Sequence, residues 1–443
     1  MFKDKNVFVL GMARSGYEVA KLLASKGNKV LVTDKSEQDK DHVLELEKLG
    51  VKVVITDNPL ELFDDSFDMV VKNPGINKSH PIVSKANELN KKVINEVEVA
   101  YHFIPKDVKI IAITGSNGKT TTTTLAYEML KAAKMPVHIA GNIGIPLSGI
   151  VNNVVSGDVL VLEISSHQLV DMYDFHPNIS VVTNLTPTHL DFFGDYDAYV
   201  INKGRIFNNQ TNEDLAILNA GYEEVERISK DIKCQKLRFS AFKEANICIK
   251  DGGITFLSDR IVNISDIRIK GKHNYENIMC AIIIAKAFDV KNEIIRNVLR
   301  NFSGVEHRNE FVREINGREF YNDSKATNTK STMIALDSFD KDTILIMGGL
   351  DRGHEFDELN DHLNNVTHII CYGETKNRIE SWAQSQNKSC VVVDNLSDAV
   401  RASYNLSKPE DVILLSPACA SWDQYKDFEE RGNEFKLLVK EIN

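Results

Sequence analysis

The run Lys109-Ile-Ile-Ala-Ile-Thr114 passes without a spacer into Gly115-Ser-Asn-Gly-Lys-Thr120, and this junction restricts the fold more than any other segment. An uninterrupted β-branched run reads as a strand covered on both faces, the signature of a parallel sheet with helices on each side. Glycines at 115 and 118 permit a tight turn, and a helix is predicted from there to about Ala133. Backbone N–H groups at such a helix start suit a phosphate. The spacing is the short G-x-x-G-K-T form, since Ile113 stands five residues before Gly118.

The same alternation recurs along the chain. Residues 6–10 read as a strand, 11–16 as a turn, 17–26 as a helix and 29–34 as a second strand. The run 68–71 ends in the turn Asn73-Pro-Gly-Ile76, and 158–164 and 179–183 end abruptly in Glu163-Ile-Ser-Ser-His167 and Asn184-Leu-Thr-Pro-Thr-His-Leu-Asp191. Such strand ends are where open α/β sheets carry chemistry. Residues 212–270 are less regular and read as short strands decorating the middle of the chain. Strands at 343–347, 368–371, 390–394 and 412–416 then mark a last α/β region. At 443 residues the chain suggests about three domains, with expected bounds 1–98, 99–304 and 305–443.

Net charge is −10, from 53 basic and 63 acidic residues, which excludes non-specific nucleic-acid binding through a basic surface. No apolar run approaches the roughly 18 residues needed to span a bilayer, and the first residues lack a signal-peptide pattern. A cytoplasmic protein without membrane insertion is therefore expected. The six cysteines form no C-x-x-C pair and read as buried, reduced thiols.

Lys119 suits phosphate oxygens, and Thr120 suits a magnesium ion beside them. Five consecutive threonines, 120–124, are a poor intrinsic choice for a helix start, but their hydroxyls and N–H groups fit an anion with its cation. Glu163 and His189 each follow a separate strand, so sheet order can bring them beside Thr120 as metal ligands. In the last region, Asn322-Asp-Ser-Lys-Ala-Thr-Asn-Thr-Lys-Ser-Thr332 is a polar loop with Asp323 and Lys325 as its working pair. Gly348-Gly-Leu-Asp-Arg-Gly353 and Ser416-Pro-Ala-Cys-Ala-Ser421 add a guanidinium, hydroxyls and amides near strand ends.

Together GSNGKTT, EISS, THLD with the downstream Lys203, His273-Asn-Tyr-Glu-Asn277, Glu306-His-Arg308 and DSKATN resemble the Mur ligase family over essentially the whole chain. GMARSG, NPGI, NDSKATN and SPACASWDQYKDFEERGNEF look like the member that adds D-glutamate. The resemblance implies a three-domain α/β protein: a Rossmann-like domain holding a UDP-linked substrate, a central P-loop ATPase-like domain, and a C-terminal Rossmann-like, dinucleotide-fold domain for the amino acid.

It also implies roles. Ser15, Asp34, Lys35, Asn73, Gly75, Asn142 and His189 would hold UDP-N-acetylmuramoyl-L-alanine. Gly115, Ser116, Asn117, Gly118, Lys119, Thr120, Thr121, Asn277, Arg308 and Asp323 would hold ATP. Thr120, Glu163, His189 and Lys203 would surround two magnesium ions, Lys203 as a CO2-derived carbamate, because a protonated amine cannot ligate a cation whereas a carbamate offers oxygens. Lys119, Lys203 and His189 would be catalytic. Lys325, Thr327, Arg352, Ser421 and Phe428 would hold D-glutamate, and Phe193 receives no role. A monomer is expected. The rival readings are a ligase for L-alanine, a diamino acid or the glutamate chain of folate; a nucleotide-controlled regulatory protein; and a nicotinamide oxidoreductase, which the G-x-x-x-x-G form of the first loop fits poorly.

Overall fold

A computed structural model describes residues 2–442. It contains three sheets in two compact units; one unit runs to Ile267 and adds Lys272–Arg300, and the other holds Arg268–Gly271 and the chain from Asn301 onward. The first sheet is parallel, with β1 (Asn6–Leu10), β2 (Lys29–Asp34), β3 (Lys52–Ile55), β4 (Met69–Lys72) and β5 (Lys92–Ile94) in the order β3-β2-β1-β4-β5. Strand order reverses between β1 and β4, so the loop after β1 and the turn after β4 leave the sheet side by side. Gly11, with φ +92°, and Gly16 make this loop possible: a Cβ on Gly16 would stand 1.9 Å from the Gly11 carbonyl oxygen.

The second sheet belongs to the same unit. It comprises β6 (Lys109–Thr114), β7 (Val137–Gly141), β8 (Val159–Glu163), β9 (Ile179–Val182), β10 (Leu215–Asn219), β11 (Gln235–Ser240), β12 (Ile247–Lys250), β13 (Gly253–Phe256) and β14 (Asp259–Asn263). Their order is β14-β13-β12-β11-β10-β9-β6-β8-β7, which centres β6 between β8 and β9. All residues of β8 and β9 are buried, as the unbroken apolar runs predict. The region 212–270 departs from the expected decoration. Its first strands, β10 and β11, continue the sheet in parallel, and only β12, β13 and β14 pair antiparallel at the far edge. One apolar core runs from the first sheet to the second, joining Val9, Val71 and Val97 with Ala140, Leu162 and Leu169.

In the second unit, β15 (Glu310–Ile315) pairs antiparallel with β16 (Arg318–Asn322). The hairpin turns on Asn316 and Gly317, both at positive φ, and Asn-Gly is a strong hairpin signal that the alternation pattern alone does not reveal. Beyond it β17 (Thr343–Gly348), β18 (Val366–Tyr372), β19 (Ser389–Val392) and β20 (Val412–Leu415) complete a sheet ordered β15-β16-β20-β17-β18-β19, parallel from β16 onward. All six cysteines are free thiols, with Cys248 and Cys390 only half-buried. No helix among the described residues is long and apolar enough to cross a membrane.

Arg431, in the helix Phe428–Glu441, is wholly buried and ties the second unit together. Its guanidinium donates to Ser324 Oγ at 3.0 Å, Ser324 O at 2.8 Å, Cys419 O at 3.2 Å and Gly348 O at 3.4 Å. These acceptors lie at or just beyond the carboxyl ends of β16, β20 and β17, the three central strands. Removing the side chain leaves several buried carbonyls unpaired, each worth about 1–3 kcal/mol. Arg431→Ala is therefore expected to destabilise this unit by about 3 kcal/mol or more, read as an earlier denaturant-unfolding transition.

Candidate active site

The phosphate loop lies between β6 and the helix Lys119–Ala132, whose N-cap Gly118 is left-handed at φ +79°. A Cβ there would stand 2.1 Å from Asn277 Oδ1, so glycine is required both for conformation and for the approach of the helix Lys272–Ala287. The Ser116 and Asn117 amides do not face an open cradle: they donate to Asn184 O at 2.9 Å and Asn184 Oδ1 at 2.8 Å. The first turn of the helix is the part of this junction whose N–H groups and dipole suit an anion. Lys119 folds back over the loop and donates to Gly115 O at 2.9 Å and Ser116 O at 2.8 Å.

Glu163 ends β8 beside this helix. Its Oε2 accepts the Thr120 hydroxyl at 2.8 Å, and its Oε1 accepts the Asn142 amide at 2.7 Å. Two oxygen donors thus stand adjacent and buried, a donor set suited to a hard divalent cation. Lys203, from the helix Tyr196–Gly204, reaches the same strand ends, wholly buried, and donates to Thr114 Oγ1 at 2.8 Å and Gly115 O at 3.0 Å. Burial, reinforced by the charge of Lys119, holds its amine well below the usual lysine range. His189 has left-handed backbone at φ +55°, and its ring packs edge-to-face against His167 at 4.7 Å. Burial and the nearby Lys119 and Lys203 charges lower its pKa, and His167 falls to about 4 mainly through burial.

A cavity of about 430 Å³ brings these groups together. Of the residues predicted from sequence, Ser15, Asn73, Gly75, Gly115, Ser116, Lys119, Asn142, His189 and Lys203 line it. Thr120 and Glu163 lie just behind that wall through the contacts above, and Asn277 packs under Gly118. Asp34 and Lys35 do not line it: Asp34 is committed to the Met12 and Ser36 amides, at 2.7 and 3.0 Å, and Lys35 is exposed. Asn117 and Thr121 are also outside the lining.

The cavity also recruits residues that the sequence reading left without a role, including Arg14, Glu96, His167, Gln168 and Tyr199. Tyr199 shares a hydrogen bond with Ser116 at 2.8 Å, and burial raises its pKa to about 12. Glu96, buried at the N-terminus of the helix Glu96–Tyr101, accepts the Ser148 amide, and burial raises its carboxyl to about 7. A signal for His167 existed in its place after Glu163; Glu96 and Tyr199 have none, because only the packing of the sheets brings them here. Phe193 packs against Tyr199 and His167.

In the second unit, Asp323 is buried after β16, where it accepts the Ser416 hydroxyl at 2.8 Å and the Asn309 amide at 3.1 Å. Burial raises its carboxyl to about 7. Arg308 precedes it by one strand pair, beside the Val305–Arg308 bridge. Lys325 lies over the Phe428 ring at 5.4 Å, Arg352 over the Trp422 ring at 4.7 Å, and Ser421 is buried in the loop after β20. With the half-buried Thr327, these side chains come from loops at the carboxyl ends of β16, β17 and β20 and from the start of the last helix.

Residues 5–95 match the Mur ligase MurD-like N-terminal domain, 113–285 the Mur ligase middle domain, and 307–419 the Mur ligase glutamate ligase domain. The chain is 46% identical to a UDP-N-acetylmuramoylalanine–D-glutamate ligase of Geobacillus sp. (strain WCH70), with 100% of this chain and 98% of that protein covered. It is 44% identical to the enzyme of that name from Bacillus cereus (strain G9842), over the same shares. Among solved structures, the UDP-N-acetylmuramate–alanine ligase MurC of Thermotoga maritima shares the fold, with TM-score 0.62 and 18% identity over 99% of this chain and 100% of that one. The phosphate loop, the Thr120–Glu163 pair and the buried Lys203 thus stand within full-length similarity to named ligases, and the chain belongs to the Mur ligase family.

Proposed function

We propose that the chain is an ATP-dependent ligase that joins D-glutamate to UDP-N-acetylmuramoyl-L-alanine in cytoplasmic peptidoglycan precursor synthesis. The observation that carries this reading is the single cavity shared by the phosphate loop, Lys203 and the Asn73–Gly75 turn, together with full-length similarity to enzymes named for that reaction. Residues 1–98 are assigned to the UDP-linked substrate, 99–304 to ATP and 305–443 to D-glutamate. The phosphate-loop residues and Asn277 are assigned to ATP.

A carboxylate is a poor electrophile, so it must be activated before an amine can displace oxygen. In the proposed sequence the muramoyl-alanine carboxylate oxygen attacks the γ-phosphorus of ATP, the bond to the bridging oxygen breaks, and ADP leaves. The D-glutamate amine then attacks the acyl carbon, loses a proton, and phosphate departs with the acyl oxygen. Lys119 and the first turn of its helix offset the charge that develops on the transferred phosphoryl group. Magnesium, held by Thr120, Glu163, His189 and a carbamate on Lys203, would neutralise phosphate oxygens. Asn142 orients Glu163 through its amide hydrogen bond. Lys203 suits carbamate formation because a neutral amine is the form that adds to CO2, and burial beside Lys119 favours that form.

Lys119→Ala is expected to lower turnover by about 10²-fold or more with the fold retained, the scale for one lost electrostatic contact in the transition state. Steady-state rates with circular dichroism check this, and normal turnover would remove Lys119 from its role. Enzyme depleted of bicarbonate is expected to lose activity and regain it when CO2 returns, with Lys203→Arg beyond rescue; activity indifferent to CO2 would refute the carbamate. Arg352→Ala is expected to weaken D-glutamate use about tenfold or more while sparing ATP, since a hydrogen bond to a charged group contributes about 1.5–3 kcal/mol. Kinetics with D-glutamate, L-glutamate, L-alanine and lysine decide the acceptor, and equal use of both glutamate enantiomers would overturn it.

A further inference from the structure

Lys72 and Asp171 form an ion pair that none of the roles above requires. Lys72 ends β4 with its side chain 0% exposed, Asp171 follows the short helix Ser166–Val170 with its side chain 6% exposed, and Nζ lies 2.7 Å from Oδ2. Lys72 closes β4, which lies between β1 and β5, and an ammonium buried there is costly unless something it holds offsets the desolvation. The same ammonium donates to Ile76 O at 2.9 Å. That carbonyl ends the turn that places Asn73 and Gly75 in the cavity, and the Ile76 amide closes the turn onto Asn73 O at 3.0 Å. Gly11 also abuts the turn: a Cβ on Gly11 would stand 3.0 Å from the Asn73 Cβ and 3.3 Å from the Ile76 Cδ1. The turn is therefore in contact with the β1 loop and held by the Lys72 ammonium.

The Asp171 end is part of the site as well. Its helix starts three residues after Glu163 with a capping box between Ser165 and Gln168, and both residues line the cavity. Asn202, next to Lys203, donates to Ser166 O at 2.7 Å, and the Asn95 side chain donates to Gln168 O. The first sheet and the helix after β5 grip the segment after Glu163 at several points, Lys92 reaching Asp174 at 3.4 Å and Glu98 accepting the Asp174 and Phe175 amides among them, and Lys72 also grips the turn.

We propose that Lys72 and Asp171 are positioning residues for the UDP-linked substrate. By fixing the Asn73–Gly75 turn of the first sheet to the segment that follows Glu163 in the second, the pair sets the spacing between the groups that hold the nucleotide end and those around the reacting carboxylate. The inference rests on the ligase reading and deepens it.

The test is the double variant Lys72→Met with Asp171→Leu, which removes both charges together and leaves neither buried alone. Its affinity for UDP-N-acetylmuramoyl-L-alanine, measured by calorimetry, is expected to fall about tenfold or more, the scale of one lost charge-assisted hydrogen bond, with ATP affinity within about twofold of wild type. Wild-type affinity for the UDP-linked substrate in this variant, or an equal loss for ATP, would overturn the proposal. Hydrogen exchange in the ligand-free chain reads the same clamp without any substrate: amides 75 and 76 are expected to exchange about tenfold faster in the variant, and unchanged exchange counts against it. If the wild type itself does not bind the UDP-linked substrate, the ligase reading fails and the exchange measurement alone decides whether the clamp exists. Should the double variant not fold, Asp171→Asn, which keeps the shape and an acceptor, is read in the same two ways, with a loss in the same direction expected and none overturning the pair.

Discussion

In a parallel sheet every strand leaves by the same edge, so each loop that follows a strand opens onto one side of the molecule. The working residues of this chain depend on that constraint. β6, β8 and β9 are neighbours in the second sheet, and the phosphate loop, Glu163 and the segment carrying His189 follow them in turn. The first sheet contributes by the same rule, through the β1 loop and the β4 turn at its point of strand reversal. The second unit repeats it with β16, β20 and β17.

Such convergence leaves many carbonyls and charges away from water, and the chain satisfies them in different ways. Arg431 has only carbonyls and a hydroxyl as acceptors and serves as a bracket for three loops. Lys72 has a carboxylate and a carbonyl. Lys203 donates to a hydroxyl and a carbonyl, and its charged form is disfavoured by burial. Asp323 is met by a hydroxyl and an amide, and its proton is held more tightly for the same reason. A buried amine shifted toward neutrality is unusual in a merely structural role, which makes Lys203 chemically the most informative of the four.

The local motifs were legible in the sequence because their physics is local. A β-branched run followed by G-x-x-G-K-T specifies strand, turn and helix within a dozen residues, and the alternation elsewhere marked β1, β2, β4, β8, β9, β17, β18, β19 and β20 to within a few residues, while β7 and β16 went unmarked. Relationships decided by pairing were not legible. The parallel continuation of β10 and β11 and the short β3 and β5 depend on which strand lies beside which, whereas the Asn316-Gly317 turn carries a local signal that the alternation pattern passes over.

The sequence by itself determined the α/β class, the phosphate loop, Glu163 and His189 as strand-end candidates, and the family, whose resemblance alone singled out the helix residue Lys203. Only the tertiary structure decided that Glu96 and Tyr199 line the cavity with His189 and Lys203, that Asp34 accepts the Met12 and Ser36 amides, and that Lys72 meets Asp171 across two sheets. The physical reason is separation along the chain. A motif constrains backbone within a few residues of itself, whereas contacts between residues 72 and 171, or 96 and 148, exist only after the helices have packed the sheets together. Residue type alone cannot announce them, because a lysine in a strand and a glutamate in a helix look like solvated side chains until burial reveals otherwise.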